Sequence, residues 1–311
     1  TLREKVSDFL SSLGFNEIMC NSLGKPAYYD SLENYPASQL VKILNPLSSD
    51  LSALRQSLFF GGMETILHNT NRRNPDLKLY EFGNCYFLGA RDKVNHLGQY
   101  SESPRLGIWL TGSKNEESWT LEAKETSFFT LKGVVELLLQ KLGINITELK
   151  VSPCLLTDFF AEGLQYSFKN RIIADFGVVD KKMAEKFDLK KNVYFAEIYW
   201  DKLCESIVNH SVSYTELPKF PEVRRDLALL VDKTVNFAQI REIAFKQEKN
   251  LLQSLNLFDV YEGEKLGEGK KSYAVSFTLQ DLTKTLTDEV VDKVMAKMLK
   301  AFELQLGARL R

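Results

Sequence analysis

The sequence has 311 residues, of which 44% are hydrophobic and 26% charged, and its 40 basic and 41 acidic side chains leave a formal net charge of −1. This composition is typical of a globular chain with one large or two modest cores. Every apolar run is far shorter than the roughly 20 residues that cross a bilayer, which excludes a transmembrane helix and predicts no membrane association.

The reactive residue types are sparse. The four cysteines lie tens of residues apart without a C-x-x-C pair, which argues against a zinc module and favours a reduced, cytoplasmic location. Three histidines give little material for a metal site or a hydrolytic triad, so we expect no metal and no catalytic residues. Because the sequence starts at Thr1 and not at a methionine, we expect a processed product or a segment of a longer protein.

Apolar spacing in residues 1–205 indicates an α+β domain. Leu2–Leu13 has the pattern of an amphipathic helix ended by Gly14, and Leu51–Leu67 has that of a longer one. The stripe on this second helix requires a partner, either the domain core or another subunit. The other elements predicted are strands at Phe15–Leu23, Leu40–Leu44, Leu79–Phe87, Arg105–Leu110, Arg171–Val179 and Val193–Trp200, and a helix at Phe128–Leu142.

A change of character marks a domain boundary. The stretch 206–216 is polar, and Pro218 and Pro221 then hold the backbone extended. We therefore predict a linker at 206–216 and a second domain at 217–311.

The second domain shows a βαββαβ order of about a hundred residues, typical of ferredoxin-like folds. Thr287 is placed to cap its last helix, which carries apolar residues from Val290 to Phe302 at i, i+3 and i+4 spacing. The remaining predicted elements are strands at Val223–Asp232, Leu255–Glu262, Ser272–Gln280 and Ala308–Arg311, and a helix at Phe237–Lys249.

Alternation along these strands predicts which side chains the helices leave uncovered. The uncovered set would be Arg224, Asp226, Asp259, Tyr261, Ser272 and Ser276, whereas Phe258 and Val260 would belong to the covered face. Leu255 and Leu257 share parity with Asp259, so either a β-bulge intervenes or the early strand is covered differently. An aromatic ring among carboxylate, hydroxyl and guanidinium groups suits single-stranded RNA, although a plain solvated sheet face fits the same pattern.

Charge gives this interpretation little support. Residues 213–311 contain 16 basic and 15 acidic side chains, so RNA contact would depend on a local cluster such as Arg224, Arg225, Lys270 and Lys271.

Several motifs resemble one known family. The runs from Pro218 to Asp232, Leu257 to Gly263 and Leu266 to Ser272, and Thr285 to Asp288, resemble the ferredoxin-fold anticodon-binding domain of bacterial phenylalanyl-tRNA synthetase β chains. Upstream, Asn45-Pro-Leu-Ser48, Leu54-Arg-Gln-Ser-Leu58 and Tyr80-Glu-Phe-Gly83 resemble the catalytic-like domain of the same chains. Together these regions cover nearly the whole sequence.

The resemblance implies a class II synthetase-like antiparallel domain followed by the ferredoxin-like domain. It also implies a heterotetramer of two α and two β chains in which the α chain attaches phenylalanine to tRNA(Phe) with ATP and Mg²⁺. No G-x-G-x-x-x-E-R segment is present, so we expect this chain to bind neither cofactor and to be inactive alone. Nothing matches the family's editing domain, so we expect no editing.

The same resemblance implies that the anticodon lies against the open sheet, with Tyr261 stacking on a base, Asp259 accepting from a base edge, and Arg224 and Lys271 neutralising phosphate. An internal ion pair of Arg224 with Asp226 or Glu222 is an equal alternative. The predicted tRNA-binding residues are Arg224, Asp226, Asp259, Tyr261, Lys270, Lys271 and Ser272. The predicted subunit-interface residues are Leu51, Leu54, Leu58 and Met63. A stand-alone RNA-binding protein or a metabolite-binding regulatory protein is the alternative function.

Overall fold

A computed structural model describes residues 1–89, 97–115, 118–208, 214, 216–263, 266–267 and 269–311. The chain divides into two compact units, residues 1–212 and 213–311, which are described separately. The predicted linker 206–216 lies partly outside the described residues, so its bounds stay a prediction. No helix among the described residues is long and apolar enough to cross a membrane.

The first unit combines a large sheet with helices on both sides. Its helices are α1 Leu2–Ser12, α2 Phe59–Thr70, α3 Phe128–Lys141, α4 Lys181–Glu185 and α5 Trp200–Ile207. Its strands are β1 Asn16–Glu17, β2 Leu23–Gly24, β3 Ala53–Leu54, β4 Leu77–Leu88, β5 Tyr100–Thr111, β6 Lys150–Pro153, β7 Phe160–Phe168, β8 Arg171–Val179 and β9 Val193–Tyr199. Within the described part, seven strands form one sheet in the order β1-β4-β5-β9-β8-β7-β6, antiparallel except for the β1–β4 pair.

Two predicted strands are wrong in extent. Phe15–Leu23 contributes only the short β1 and the start of β2, and Leu40–Leu44 forms no strand beyond a single bridge at Lys42. The strands β6 and β7 were not predicted.

The helix predicted from Leu51 begins only at Phe59, because the backbone before it bonds to distant groups. Arg55 N–H donates to the Ser22 carbonyl at 2.9 Å, and Leu58 N–H donates to the Glu197 carboxylate at 3.1 Å. These donors are satisfied outside any helix. Leu51 lies in a 3₁₀ turn and Leu54 in β3.

The second unit has the predicted βαββαβ order. Its elements are β10 Val223–Asp232, α6 Phe237–Gln247, β11 Leu252–Tyr261, β12 Lys270–Leu279, α7 Asp288–Leu306 and β13 Arg309–Leu310. In the described residues these strands form one antiparallel sheet in the order β11-β12-β10-β13. Thr287 is the N-cap of α7, although its side chain makes no capping hydrogen bond. The predicted α+β fold class with a ferredoxin-like second domain is confirmed.

Candidate nucleic-acid interface

The helices α6 and α7 cover one face of the second unit's sheet. Leu229 and Val231 of β10 and Val275 of β12 are fully buried in the same core as Met298 and Phe302 of α7. This confirms the predicted parity of β10 and β12, because the alternate side chains on these strands then point away from the helices.

The opposite, open face is built from four cross-strand rows. From one end of the face to the other they are Arg224 with Thr278 and Ser254, Asp226 with Ser276 and Asn256, Ala228 with Ala274 and Asp259, and Leu230 with Ser272 and Tyr261. Because Ala228 and Ala274 have small side chains, the middle of the face is a shallow depression. The polar and aromatic side chains around it therefore border a shallow surface.

Tyr261 stands at one end of this open face and is 37% exposed. The Arg311 guanidinium carbon lies 4.9 Å from the centre of the Tyr261 ring, in cation–π contact. A β-carbon added to Gly263 would come within 2.5 Å of the Tyr261 hydroxyl, so the glycine allows the ring to lie close to the backbone. Tyr261 is therefore an oriented ring at the surface.

A β-bulge in β11 changes the predicted position of Phe258. Leu257 pairs with Val275 and Asp259 with the adjacent Ala274, which leaves Phe258 without a partner residue of its own. Phe258 is 50% exposed, and the Arg224 guanidinium carbon lies 5.6 Å from its ring centre. The assignment of Phe258 to the covered face was therefore wrong, and the bulge resolves the parity conflict of Leu255 and Leu257.

Arg224 also forms the internal ion pair that was the alternative to phosphate binding. Its Nε and one terminal nitrogen donate to the two Asp226 carboxylate oxygens at 3.0 and 3.4 Å. Both side chains are well exposed, so the pair contributes little to stability, but it orients the guanidinium.

The three predicted residues at the start of β12 differ in position. Lys270 lies 3.7 Å from the Asp232 carboxylate where the paired central strands β12 and β10 end. Lys271 pairs with Val231, is buried, and places its Nζ 4.8 Å from the Tyr273 ring centre on the helix-covered side. The strand's alternation therefore places Lys271 on the face opposite to the other predicted tRNA-binding residues of β12. Ser272 is on the open face but is only 3% exposed.

The first unit contains a second concentration of polar chemistry, in its interior. Glu81, Glu197 and Asp175 stand in one row across β4, β9 and β8 and are each 1% exposed. Arg55 donates to Glu81 at 2.7 Å, and Arg105 donates to Glu197 at 3.1 Å. Buried charges of this kind are tolerated only when paired and hydrogen-bonded.

Neutral donors complete this row. Tyr35 donates to Glu197 at 3.2 Å and Tyr199 donates to Asp175. Burial, followed by the negative charge of the nearby carboxylates, raises the pKa of both phenols well above the usual value, so both stay protonated donors. The Phe59 and Phe159 rings stack at 4.3 Å in the core cluster that also holds Tyr35. No group of three His, Cys, Asp or Glu in the described residues could hold a metal ion.

The predicted interface residues fall into two groups. Leu58 and Met63 are fully buried in the first unit's own core, so their assignment to a subunit interface was wrong and the core alternative is correct. Leu51 is 40% exposed and Leu54 is partly exposed, and Leu44 and Leu47 nearby are almost fully exposed.

Each of the two units matches a known protein-family model. The family model described as "Phenylalanyl tRNA synthetase beta chain CLM domain" matches residues 1–200, and "Ferredoxin-fold anticodon binding domain" matches residues 218–311. The chain belongs to the phenylalanyl-tRNA synthetase β-chain family.

Relatives in this family match along the full chain. Phenylalanine–tRNA ligase β subunits are 49% identical in Bacteroides thetaiotaomicron, over 100% of this chain and 38% of the relative. The corresponding subunits are 42% identical in Porphyromonas gingivalis, over 98% and 38%, and 31% identical in Thermotoga maritima, over 99% and 38%. The chain therefore spans well under half the length of these β subunits.

A solved structure gives only a distant likeness. Pyrrolysyl-tRNA synthetase from Desulfitobacterium hafniense superposes with a TM-score of 0.49 at 16% identity, over 68% of this chain and 73% of that one. A likeness at this level carries no functional conclusion.

Two side chains of the open face, Phe258 and Arg311, were not predicted from the sequence. Phe258 was missed because strict alternation cannot show which residue a bulge takes out of register. Arg311 was missed because it follows β13, which is not a neighbour of β11 in the sheet, so strand pairing does not predict its contact with Tyr261.

Proposed function

We propose that this chain is part of the non-catalytic β subunit of a phenylalanine–tRNA ligase and serves subunit assembly and recognition of the tRNA(Phe) anticodon. The supporting observation is the open sheet face of a domain that matches the anticodon-binding family, with the oriented ring of Tyr261 at its edge. An exposed ring accepts an unpaired base by stacking, and the adjacent Asp259 carboxylate accepts from a base edge.

The roles of the neighbouring groups follow from their positions. Arg224, Lys270 and Arg311 supply positive charge to the open face, while Lys271 is left out because it lies on the helix side. Asp226 orients Arg224, and Ser272 is the small cross-strand neighbour of Tyr261.

The assembly proposal extends to the partner subunit. The α chain would carry the phenylalanine, ATP and Mg²⁺ chemistry in an (αβ)₂ enzyme, in the cytoplasm where tRNA is charged. The exposed leucines Leu44, Leu47 and Leu51 are one apolar surface of the first unit that such a partner could cover. Neither family match supports the stand-alone RNA-binding or metabolite-binding alternative.

Binding of tRNA(Phe) to the α/β complex tests this function through Tyr261→Ala. Loss of one base stack costs about 1 to 3 kcal/mol, so we expect affinity to fall while aminoacylation of saturating tRNA persists. Val260→Ala is the matched control, because Val260 is on the same strand, is similarly exposed and pairs with Tyr273 of the covered face. Equal affinity of the wild-type complex for tRNA(Phe) with any anticodon sequence would contradict anticodon recognition.

A further inference from the structure

We propose that Phe258 is a second stacking platform for an unpaired RNA base on the open face, with Arg224 as the cation that accompanies it. This inference rests on the proposed function and adds a second base-binding position to it. The bases concerned are those of a single-stranded or loop segment, because only unstacked bases expose their faces to an aromatic side chain.

The bulge is the first observation that carries this inference. In a β-bulge two residues on one strand oppose a single residue on the partner, and the extra residue redirects a side chain. Here Phe258 and Asp259 together oppose Ala274, between the pairs Leu257–Val275 and Val260–Tyr273. Arg224 pairs with Thr278 on the open face, so its contact with Phe258 places the Phe258 ring on that face as well.

Exposure is the second observation. Phe258 is 50% exposed, whereas Phe277 and Phe302 of the same unit are fully buried. Among the described residues, Phe258 also does not belong to the partly buried side chains that pack against this core. The ring therefore has a free surface that the folded unit does not use.

The third observation is the fixed cation beside the ring. The two hydrogen bonds that Arg224 donates to the Asp226 carboxylate hold its guanidinium in a defined orientation over Phe258. A nucleotide that stacks on the ring brings its phosphate toward this guanidinium, which makes both contacts with one residue of RNA. The same combination, an aromatic ring with an arginine, recurs at Tyr261 and Arg311.

The spacing of the two rings defines the ligand further. Three residues along a regular strand span about 10 Å, a path that the bulge at Phe258 shortens somewhat, whereas stacked bases along one nucleic-acid strand are about 3.4 Å apart. Tyr261 and Phe258 therefore suit two bases that have been splayed from each other, as in a loop held open on a sheet.

The experiment uses the α/β complex and a tRNA(Phe) anticodon stem-loop in which single unpaired bases are replaced by 2-aminopurine, whose fluorescence falls on stacking. Phe258→Leu keeps apolar bulk but removes the ring, Phe258→Tyr keeps the ring, and Val260→Ala is the matched control on the covered face. A Phe258→Leu affinity about 5- to 150-fold weaker is the expected result, with loss of quenching at one labelled position and retention of both properties in Phe258→Tyr.

Three outcomes separate this inference from the proposed function. If Tyr261→Ala weakens binding but Phe258→Leu stays within twofold of wild type, Phe258 is not a platform and the function stands. If neither change weakens binding, anticodon recognition by this face fails as well. If Phe258→Leu weakens binding but leaves quenching at every labelled position unchanged, the ring acts only through support of Arg224 and the inference is overturned.

Discussion

The Arg311 side chain contacts the Tyr261 ring and brings a positive charge to it. Its backbone N–H donates to the Ala228 carbonyl at 2.9 Å, which fixes the chain beside the low centre of the open face. Its guanidinium then reaches the Tyr261 ring across the neighbouring strands. In the proposed complex, a base that stacks on Tyr261 meets a ring with the Arg311 guanidinium over one face.

Replacement of Arg311 by alanine should weaken tRNA binding mainly through charge. Each phosphate neutralised on single-stranded nucleic acid contributes about 0.7 to the slope of log affinity against log salt, so Arg311→Ala should reduce that slope by about this amount. Titration of the α/β complex with tRNA(Phe) at several salt concentrations measures it. Arg311→Lys is the control that keeps the charge, and an unchanged slope in Arg311→Ala would show that the guanidinium contacts only Tyr261.

The α2 helix shows why some of the fold was predictable from the sequence and some was not. The bounds of β8 and β10 follow from local signals, a mostly apolar run in β8 and apolar residues at every second position in the second half of β10. The apolar spacing from Leu51 to Leu58 resembles a helix, but Glu197, more than a hundred residues away, accepts the Leu58 N–H. A hydrogen bond over that separation leaves no trace in local periodicity.

On the open face of the second unit, too, some side-chain positions were predictable from the sequence and others were not. Alternation predicted Asp259 and Tyr261 on the open side, where their pairing with β12 puts them, and the parity conflict left a bulge as one of two explanations. The bulge position depends on how β11 fits β12, so only the structure could assign Phe258. Lys271 was predicted as a phosphate contact from the family resemblance, whereas its parity is that of the covered face.

Packing of α2 on the sheet depends on glycine. Trp109 of β5 is fully buried, and a β-carbon added at Gly62 of α2 would lie 2.1 Å from its ring. Gly62→Ala should therefore destabilise the first unit by about 1 to 3 kcal/mol through overpacking, despite the better helix propensity of alanine.

Gly133 of α3 offers the matched control for that substitution, because a β-carbon there meets nothing within 4 Å. Gly133→Ala should stabilise the unit by up to about 1 kcal/mol. Urea unfolding followed by tryptophan fluorescence measures both changes. A stabilising Gly62→Ala would show that α2 can shift away from Trp109 at little cost.

The two units have separate hydrophobic cores in the described residues. Their unfolding can also be followed by different spectroscopic signals. The three tryptophans are Trp109, Trp119 and Trp200, all in the first unit, so residues 213–311 contain none. Tryptophan fluorescence therefore follows unfolding of the first unit alone, whereas far-ultraviolet circular dichroism follows both.

We expect these two probes to give different urea transitions, because each unit buries its own apolar clusters and about a hundred residues suffice for an independently stable domain. Gly62→Ala should then move the fluorescence midpoint and only one component of the dichroism curve. Residues 217–311 expressed alone should unfold cooperatively at the midpoint of the other component. Coincident transitions that Gly62→Ala shifts together would show instead that the two units unfold as one, and the proposed tRNA binding by the second unit would then depend on the stability of the first.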